Sequence, residues 1–226
     1  MFNDRSRCFA CGKVLGFWEL WPVLSFLLQK GRCRRCRSRI SWQYPLVELL
    51  LGALFLFSFL KWQSEFGRIR ELGILLWWFL AAFLAAVLAV YDFKHKILPG
   101  KVSWAFLILS FLGSFVFRDI SAVELGLALA PAVFLAVLSL ISGGRWLGWG
   151  DVKLMFGIGL FLSWPQSLLA LLFAFWLGAL WGLGLLWFQR GVTIKSELPF
   201  GPFLILGMYL AFFFPEFFRA LFLPWL

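Results

Sequence analysis

Apolar residues in this chain run in long, nearly charge-free stretches rather than recurring with the period of a surface helix. Ile40–Leu60 holds a single charge, Glu48, and Leu72–Tyr91, Val102–Phe117, Leu125–Gly144 and Leu198–Pro215 hold none. Leu154–Gln189 is an uncharged run of 36 residues, which as one helix would reach about 54 Å against a hydrocarbon core of about 30 Å. Ser163-Trp164-Pro165-Gln166 supplies the turn that divides it. The first half is short, so its helix starts further back, near Gly148–Asp151. The pattern predicts about seven membrane helices, over 42–60, 72–91, 102–117, 124–142, 150–163, 166–188 and 201–215. The fold class is an all-α polytopic membrane protein, with no internal repeat visible.

Composition agrees and narrows the field. The 226 residues are 62% hydrophobic, 20% aromatic and 14% charged, with mean hydropathy +0.90. That excludes a soluble globular domain, a disordered chain and a disulfide scaffold. The formal charge of +10 does not read as a nucleic-acid surface, because nine of the 21 basic residues precede position 40 and most others flank apolar runs. With the N-terminus in the cytoplasm, sixteen lysines and arginines fall on that side. Lys61, Arg68, Arg70, Arg118 and Arg219 fall on the other. This is the positive-inside pattern of an inner-membrane protein whose seventh crossing leaves the C-terminus outside. The 14 tryptophans cluster near span ends, as interfacial belts do.

Residues 1–41 form a separate cytoplasmic region, and 42–226 the membrane domain. No signal peptide is visible in the first of these. It contains all four cysteines, as Cys8-x2-Cys11 and Cys33-x2-Cys36. Two such knuckles can aim four thiolates at one ion, so a structural zinc site is expected, with Gly12 easing the first turn. Basic neighbours from Arg32 to Arg39 offset the thiolate charge. Four protein ligands leave no open position for catalysis.

Asp92 and Asp151 stand apart from the other acids. Asp92 follows twenty uncharged residues, and Asp151 opens the fifth span in Gly148-Trp149-Gly150-Asp151-Val152-Lys153. Two crossings separate them, so both carboxyls belong to the cytoplasmic edge of the bilayer. Ionisable groups at that depth are expensive and point to function. A close pair can divide the work of acid and base, activating a water and protonating a leaving amine. Gly148 and Gly150 are expected to let the backbone unwind and a peptide approach Asp151. Lys153 reads either as support for Asp151 or as an interfacial lysine, and Glu48 either as a group that meets a new amino terminus or a substrate cation or as a residue at the interface. His95, the only histidine, reads as a solvated residue.

Gly148-Trp149-Gly150-Asp151 resembles the GxGD signature of intramembrane aspartyl proteases, and the whole constellation resembles the bacterial prepilin peptidases, or type IV leader peptidases. The resemblance also rests on Arg39-Ile40-Ser41-Trp42-Gln43-Tyr44-Pro45-Leu46-Val47-Glu48 after the paired cysteines and on Pro199-Phe200-Gly201-Pro202-Phe203. Where the family carries Leu-Pro-Asp, this chain has Leu98-Pro99-Gly100, leaving Asp92 as the acid of that segment. The resemblance implies removal of a basic leader after glycine from prepilin-like proteins, in pilus assembly or type II secretion. It also implies N-methylation of the new terminus with S-adenosylmethionine. The family usually has a further membrane helix before the first knuckle, whereas this chain begins seven residues before Cys8; the expectation is cleavage with slow or absent methylation. A transporter or channel with an Asp92/Asp151 cation site and a regulatory zinc region is the alternative. The partners expected are prepilin-like substrates and the lipid bilayer, not nucleic acid. The sequence does not specify an oligomeric state.

Overall fold

A computed structural model describes residues 5–62, 69–188 and 199–217. Every apolar stretch is a helix: α2 (Gln43–Trp62), α3 (Ile69–His95), α4 (Gly100–Phe117), α5 (Ala122–Ile141), α6 (Trp149–Leu162), α7 (Gln166–Phe188) and α8 (Gly201–Phe213). A short helix, α1 (Leu24–Leu28), and a 3-10 turn at Phe17–Glu19 precede them. Among the described residues there is no strand, only two isolated bridges, Arg7 with Val14 and Arg32 with Arg39. Five helices, α2 to α5 and α7, are long and apolar enough to cross a membrane. The other two are shorter: α6 has 14 residues and α8 has 13, or about 20 Å each. Of the charges in the topology count, Arg68, Arg190, Lys195 and Arg219 lie outside the described residues.

The chain divides into two compact units, Met1–Phe66 and Gly67–Leu226. In the first, two hairpins repeat one geometry 25 positions apart. Cys8 N–H donates to Lys13 O and Gly12 N–H to Cys8 O; Cys33 N–H donates to Ser38 O and Arg37 N–H to Cys33 O, all at 2.9 Å. Gly12 takes φ +68° in the first knuckle, as its type suggests, but Arg37 takes φ +57° in the second. The arginine accepts a left-handed conformation because both flanking hydrogen bonds close only that way. This local repeat is faint in the sequence, where only the cysteines and the arginines before them, Arg7 and Arg32, match. Buried Phe26 fills the space beneath the second knuckle, against Gly31 and the Trp42 ring. Glu19 ties the 3-10 turn to the first knuckle by accepting from Gly16 N–H and from Lys13 Nζ at 2.8 Å.

The second unit is built around α6, whose residues are buried at nine positions between Val152 and Leu162. Lipid offers no hydrophobic drive between helices, so close approach rests on small residues. Gly157 faces Phe106 and the Leu107 backbone of α4, Gly159 faces the Ala128 carbonyl of α5, and Gly207 of α8 faces the Ala170 carbonyl of α7. A β-carbon at any of them would collide. Elsewhere an indole makes the seal. Trp77 of α3 fills the space beside Gly113 of α4 and donates Nε1–H to Leu109 O at 2.9 Å. It also packs on Phe117 and Phe161. Tyr209 of α8 donates to the Ala82 carbonyl of α3 at 2.7 Å, satisfying its hydroxyl at membrane depth. The α4 end is stitched by Arg118, which donates to Ser163 Oγ at 2.8 Å and lies over the Trp77 ring.

Gly113→Ala should therefore lift the Trp77 indole from α4 and lower stability by about 1–3 kcal/mol, the usual effect of overpacking. Gly126→Ala, in open space on α5, should be neutral or slightly stabilising. Thermal unfolding of both variants in one detergent checks the contrast.

Candidate active site

Asp92 does not end its helix as expected. α3 continues to His95, so the carboxyl sits in the last turn of a formed helix and is 5% exposed. Its Oδ2 has no hydrogen-bond partner, although the Gly201 backbone amide approaches the carboxyl. Gly201 is the first residue of α8, and a β-carbon there would stand 2.6 Å from Asp92 Oδ2. The helix therefore presents its N-terminal amides to a carboxyl at a range only glycine permits. Pro202 follows at a position where a missing N–H leaves no bond unmade.

Asp151 sits in the first turn of α6. Gly148 is the N-cap, extended at φ −75° and ψ 148°, and Asp151 at the third helical position returns its carboxyl to the Gly148 amide, half of a capping box. Of the two glycines expected to let the backbone unwind, Gly148 is extended and lies outside the helix, whereas Gly150 is inside it, and neither has positive φ. Gly150 leaves lateral space. Leu98, from the link between α3 and α4, places Cδ1 3.1 Å from where a β-carbon of Gly150 would stand and Cδ2 3.5 Å from that of Gly201. One leucine thus packs against the beginnings of both α6 and α8. The two aspartates are within electrostatic reach of each other, so α3, α6 and α8 bring together the carboxyls that the sequence paired.

Leu98 and Gly201 are the residues whose part the sequence did not reveal. Both lay in recognised segments, Leu98-Pro99 and Pro199–Phe203, and the signal was the abrupt Gly-Pro start of an apolar helix. Lys153 turns from Asp151 toward α4, with Nζ 5.4 Å from the Trp104 ring centre. His95 is exposed and stacks on Tyr91. Glu48, on the second turn of α2, accepts from Val23 N–H at 2.8 Å, which gives it a structural bond the sequence did not suggest.

The four cysteines converge as expected. They are free thiols, and their sulfurs all lie within 4.8 Å of one another. Cys8 Sγ and Cys36 Sγ are 3.8 Å apart, matching the edge of about 3.8 Å that a tetrahedron with 2.3 Å metal–sulfur bonds requires. The cluster can hold a metal. Backbone amides of Cys11 and Ala10, with the Ser38 hydroxyl, bring the Cys8 thiol down to about 6. Ser38, through its hydroxyl and its amide, lowers Cys36 too. The Lys13 amide pulls Cys11 the same way, but burial and the neighbouring thiols outweigh it and push Cys11 up to about 11. The Cys8 sulfur is thus disposed to be a thiolate near neutral pH and to receive a cation first. Beside them, between the knuckles and the start of α2, lies a cavity of about 590 Å³ walled in part by Phe26, Arg39, Tyr44 and Glu48.

Residues 1–62 match the bacterial A24 peptidase N-terminal domain, and residues 74–183 the type IV leader peptidase family. Relatives named prepilin leader peptidase/N-methyltransferase match over most of this chain. That of Burkholderia pseudomallei is 35% identical over 90% of this chain and 65% of its own length. That of Aeromonas salmonicida is 32% identical over 92% of this chain and 70% of its own length. A third, from Stutzerimonas stutzeri, is 30% identical over 93% and 72%. The chain spans about two thirds of the length of the Burkholderia relative. No solved structure matches it. With both halves of the chain matched in order, and with a relative of similar extent at 32% identity, the chain belongs to the type IV leader peptidase family.

Proposed function

We propose that the chain is an inner-membrane aspartyl endopeptidase that removes the basic leader of type IV prepilin-like proteins. The observation that carries this reading is the convergence of Asp92 and Asp151 at helix ends opened by Gly150 and Gly201. In the topology that charge supports, the N-terminus is cytoplasmic, the C-terminus is outside, and α6 and α8 complete seven crossings. A substrate's basic leader then stays in the cytoplasm while its apolar helix lies in the bilayer, so the scissile bond arrives at the edge where α3 ends and α6 begins. One carboxyl, ionised, takes a proton from a water as that water attacks the scissile carbonyl. The other, protonated, gives its proton to the leaving amine. Glycines on both helix starts leave room for an extended peptide beside the acids.

The thiol cluster is assigned to zinc, bound by Cys8, Cys11, Cys33 and Cys36 in a closed structural site. The relatives' second named activity implies S-adenosylmethionine, which supplies an electrophilic methyl group when bound. The cavity beside the knuckles fits it by size. There Glu48 would face a cationic centre, while Phe26 and Tyr44 would lie against an aromatic base. Gly148, Gly150 and Lys153 support Asp151, the glycines by leaving space and Lys153 by anchoring α6 on Trp104.

Three outcomes are expected. Asp92→Asn and Asp151→Asn should each lower leader removal by roughly 10²–10⁴-fold or more while the protein stays inserted; substantial processing by either folded variant would sink the pair. Gly201→Ala should displace the Asp92 carboxyl and lower cleavage by roughly 10²-fold with less change in apparent substrate affinity. An in vitro assay on a prepilin in liposomes measures both, and mass spectrometry of the product's N-terminal peptide reports whether a methyl group has been added. Purified protein should carry about one zinc per chain, and serine at any of the four cysteines should lower that content and loosen residues 5–41 to proteolysis. Elemental analysis and limited digestion decide the point.

A further inference from the structure

The N-terminal unit exposes an apolar surface that its metal knuckles do not use. Phe17 is 70% exposed, Trp18 65% and Leu28 73%. Trp21, Leu24 and Leu27 are also exposed along the same turn and short helix. Phe17, Trp18 and Trp21 stack on one another, with centroids 5.0–6.2 Å apart. A patch of this kind is unusual on a surface that meets only water. Its neighbour in sequence is the second knuckle, where Lys30, Arg32, Arg34, Arg35, Arg37 and Arg39 are all exposed.

Two internal contacts set the height of this patch. Glu48 accepts a hydrogen bond from Val23 N–H at 2.8 Å, and the Phe26 ring packs on Trp42 at 4.7 Å. Val23 holds φ +59°, a conformation β-branched residues avoid, and the bond to Glu48 is what fixes it. The candidate membrane span of α2 begins at Gln43, so Glu48 lies about 7.5 Å along it. Val23 and Phe26, in the middle of residues 17–28, are thereby tied to the first two turns of a candidate span and to the residue before it, a stretch whose length matches the headgroup layer if α2 crosses the bilayer. Tryptophan, phenylalanine and leucine are the side chains that this layer accepts, and arginines just outside it meet lipid phosphates.

We propose that Phe17–Leu28 is an in-plane anchor, immersed in the cytoplasmic leaflet and held there by anionic phospholipid bound to the arginines of the second knuckle. The anchor fixes the metal knuckles to the membrane surface. It depends on α2 being a span and not on the peptidase reading, so the two can fail separately.

The test uses the full chain in nanodiscs of phosphatidylcholine with roughly 30% phosphatidylglycerol. A p-benzoylphenylalanine crosslinker is placed at Phe17 or at Leu28, and the adducts are identified by mass spectrometry. Both positions should yield phospholipid adducts, with phosphatidylglycerol above its share of the disc. Arg34→Gln/Arg35→Gln/Arg37→Gln should return that share to the bulk value while the adducts persist. Trp18→Ser/Leu24→Ser should reduce total adducts at Leu28 several-fold; Trp18→Phe, which keeps the ring, should not. Hydrogen exchange along residues 43–61 confirms that each variant retains α2. Solvent-quenched label at both positions would overturn the proposal. So would adducts to a second copy of the chain or to an added prepilin, or lipid adducts with no enrichment of phosphatidylglycerol.

Discussion

Close backbone approach at a few residues without side chains is the constraint on which the membrane unit depends. In lipid, one apolar helix surface is as well solvated as another, so contact has to be won by dispersion over short distances. Gly157, Gly159 and Gly207 let α6 meet α4 and α5, and α8 meet α7, at ranges where a methyl group would overlap a neighbour. The result is a short, almost wholly buried α6 at the centre. Asp151 stands in the first turn of this helix, so its carboxyl is carried by the most buried element of the unit.

The same economy of side chains recurs at the acids, with a chemical purpose. Gly150 and Gly201 are the second residue of α6 and the first of α8, and both lie against Leu98. Helix N-termini concentrate unpaired amides, and glycine lets those amides come within reach of a carboxyl. The proposed site is therefore built from three helix ends rather than from a loop. Its geometry is fixed by the packing of whole helices, which suits a reaction that relies on two acids keeping a set separation.

The N-terminal unit solves a different problem. Its core contains little more than Phe26 and Cys33, too little apolar burial to hold some forty residues in place. Metal ligation can supply what is missing, and the paired hairpins set the sulfurs at a spacing that fits one tetrahedral ion. Glu48 serves as a tie between the knuckle region and α2, so one carboxylate inside an apolar helix has a structural use whatever chemistry it also performs.

Much of this architecture was legible from residue order alone. Apolar runs with at most one charge located the seven apolar helices among the described residues, five of them long enough to cross a membrane; Ser163–Gln166 marked the break in the longest run, and the CxxC pairs announced a four-sulfur cluster. Those features are local, set by solvation of a helix in lipid or by a turn of four residues, and so they survive in one dimension. Gly150 stays helical rather than unwinding, for a reason sequence cannot show. Gly150 lacks a side chain because Leu98 occupies the space, a demand that arises 52 positions away. The approach of Gly201 to Asp92 and the turn of Lys153 toward Trp104 were likewise tertiary decisions. Each depends on which helix lies beside which, and residue order states only that the helices exist.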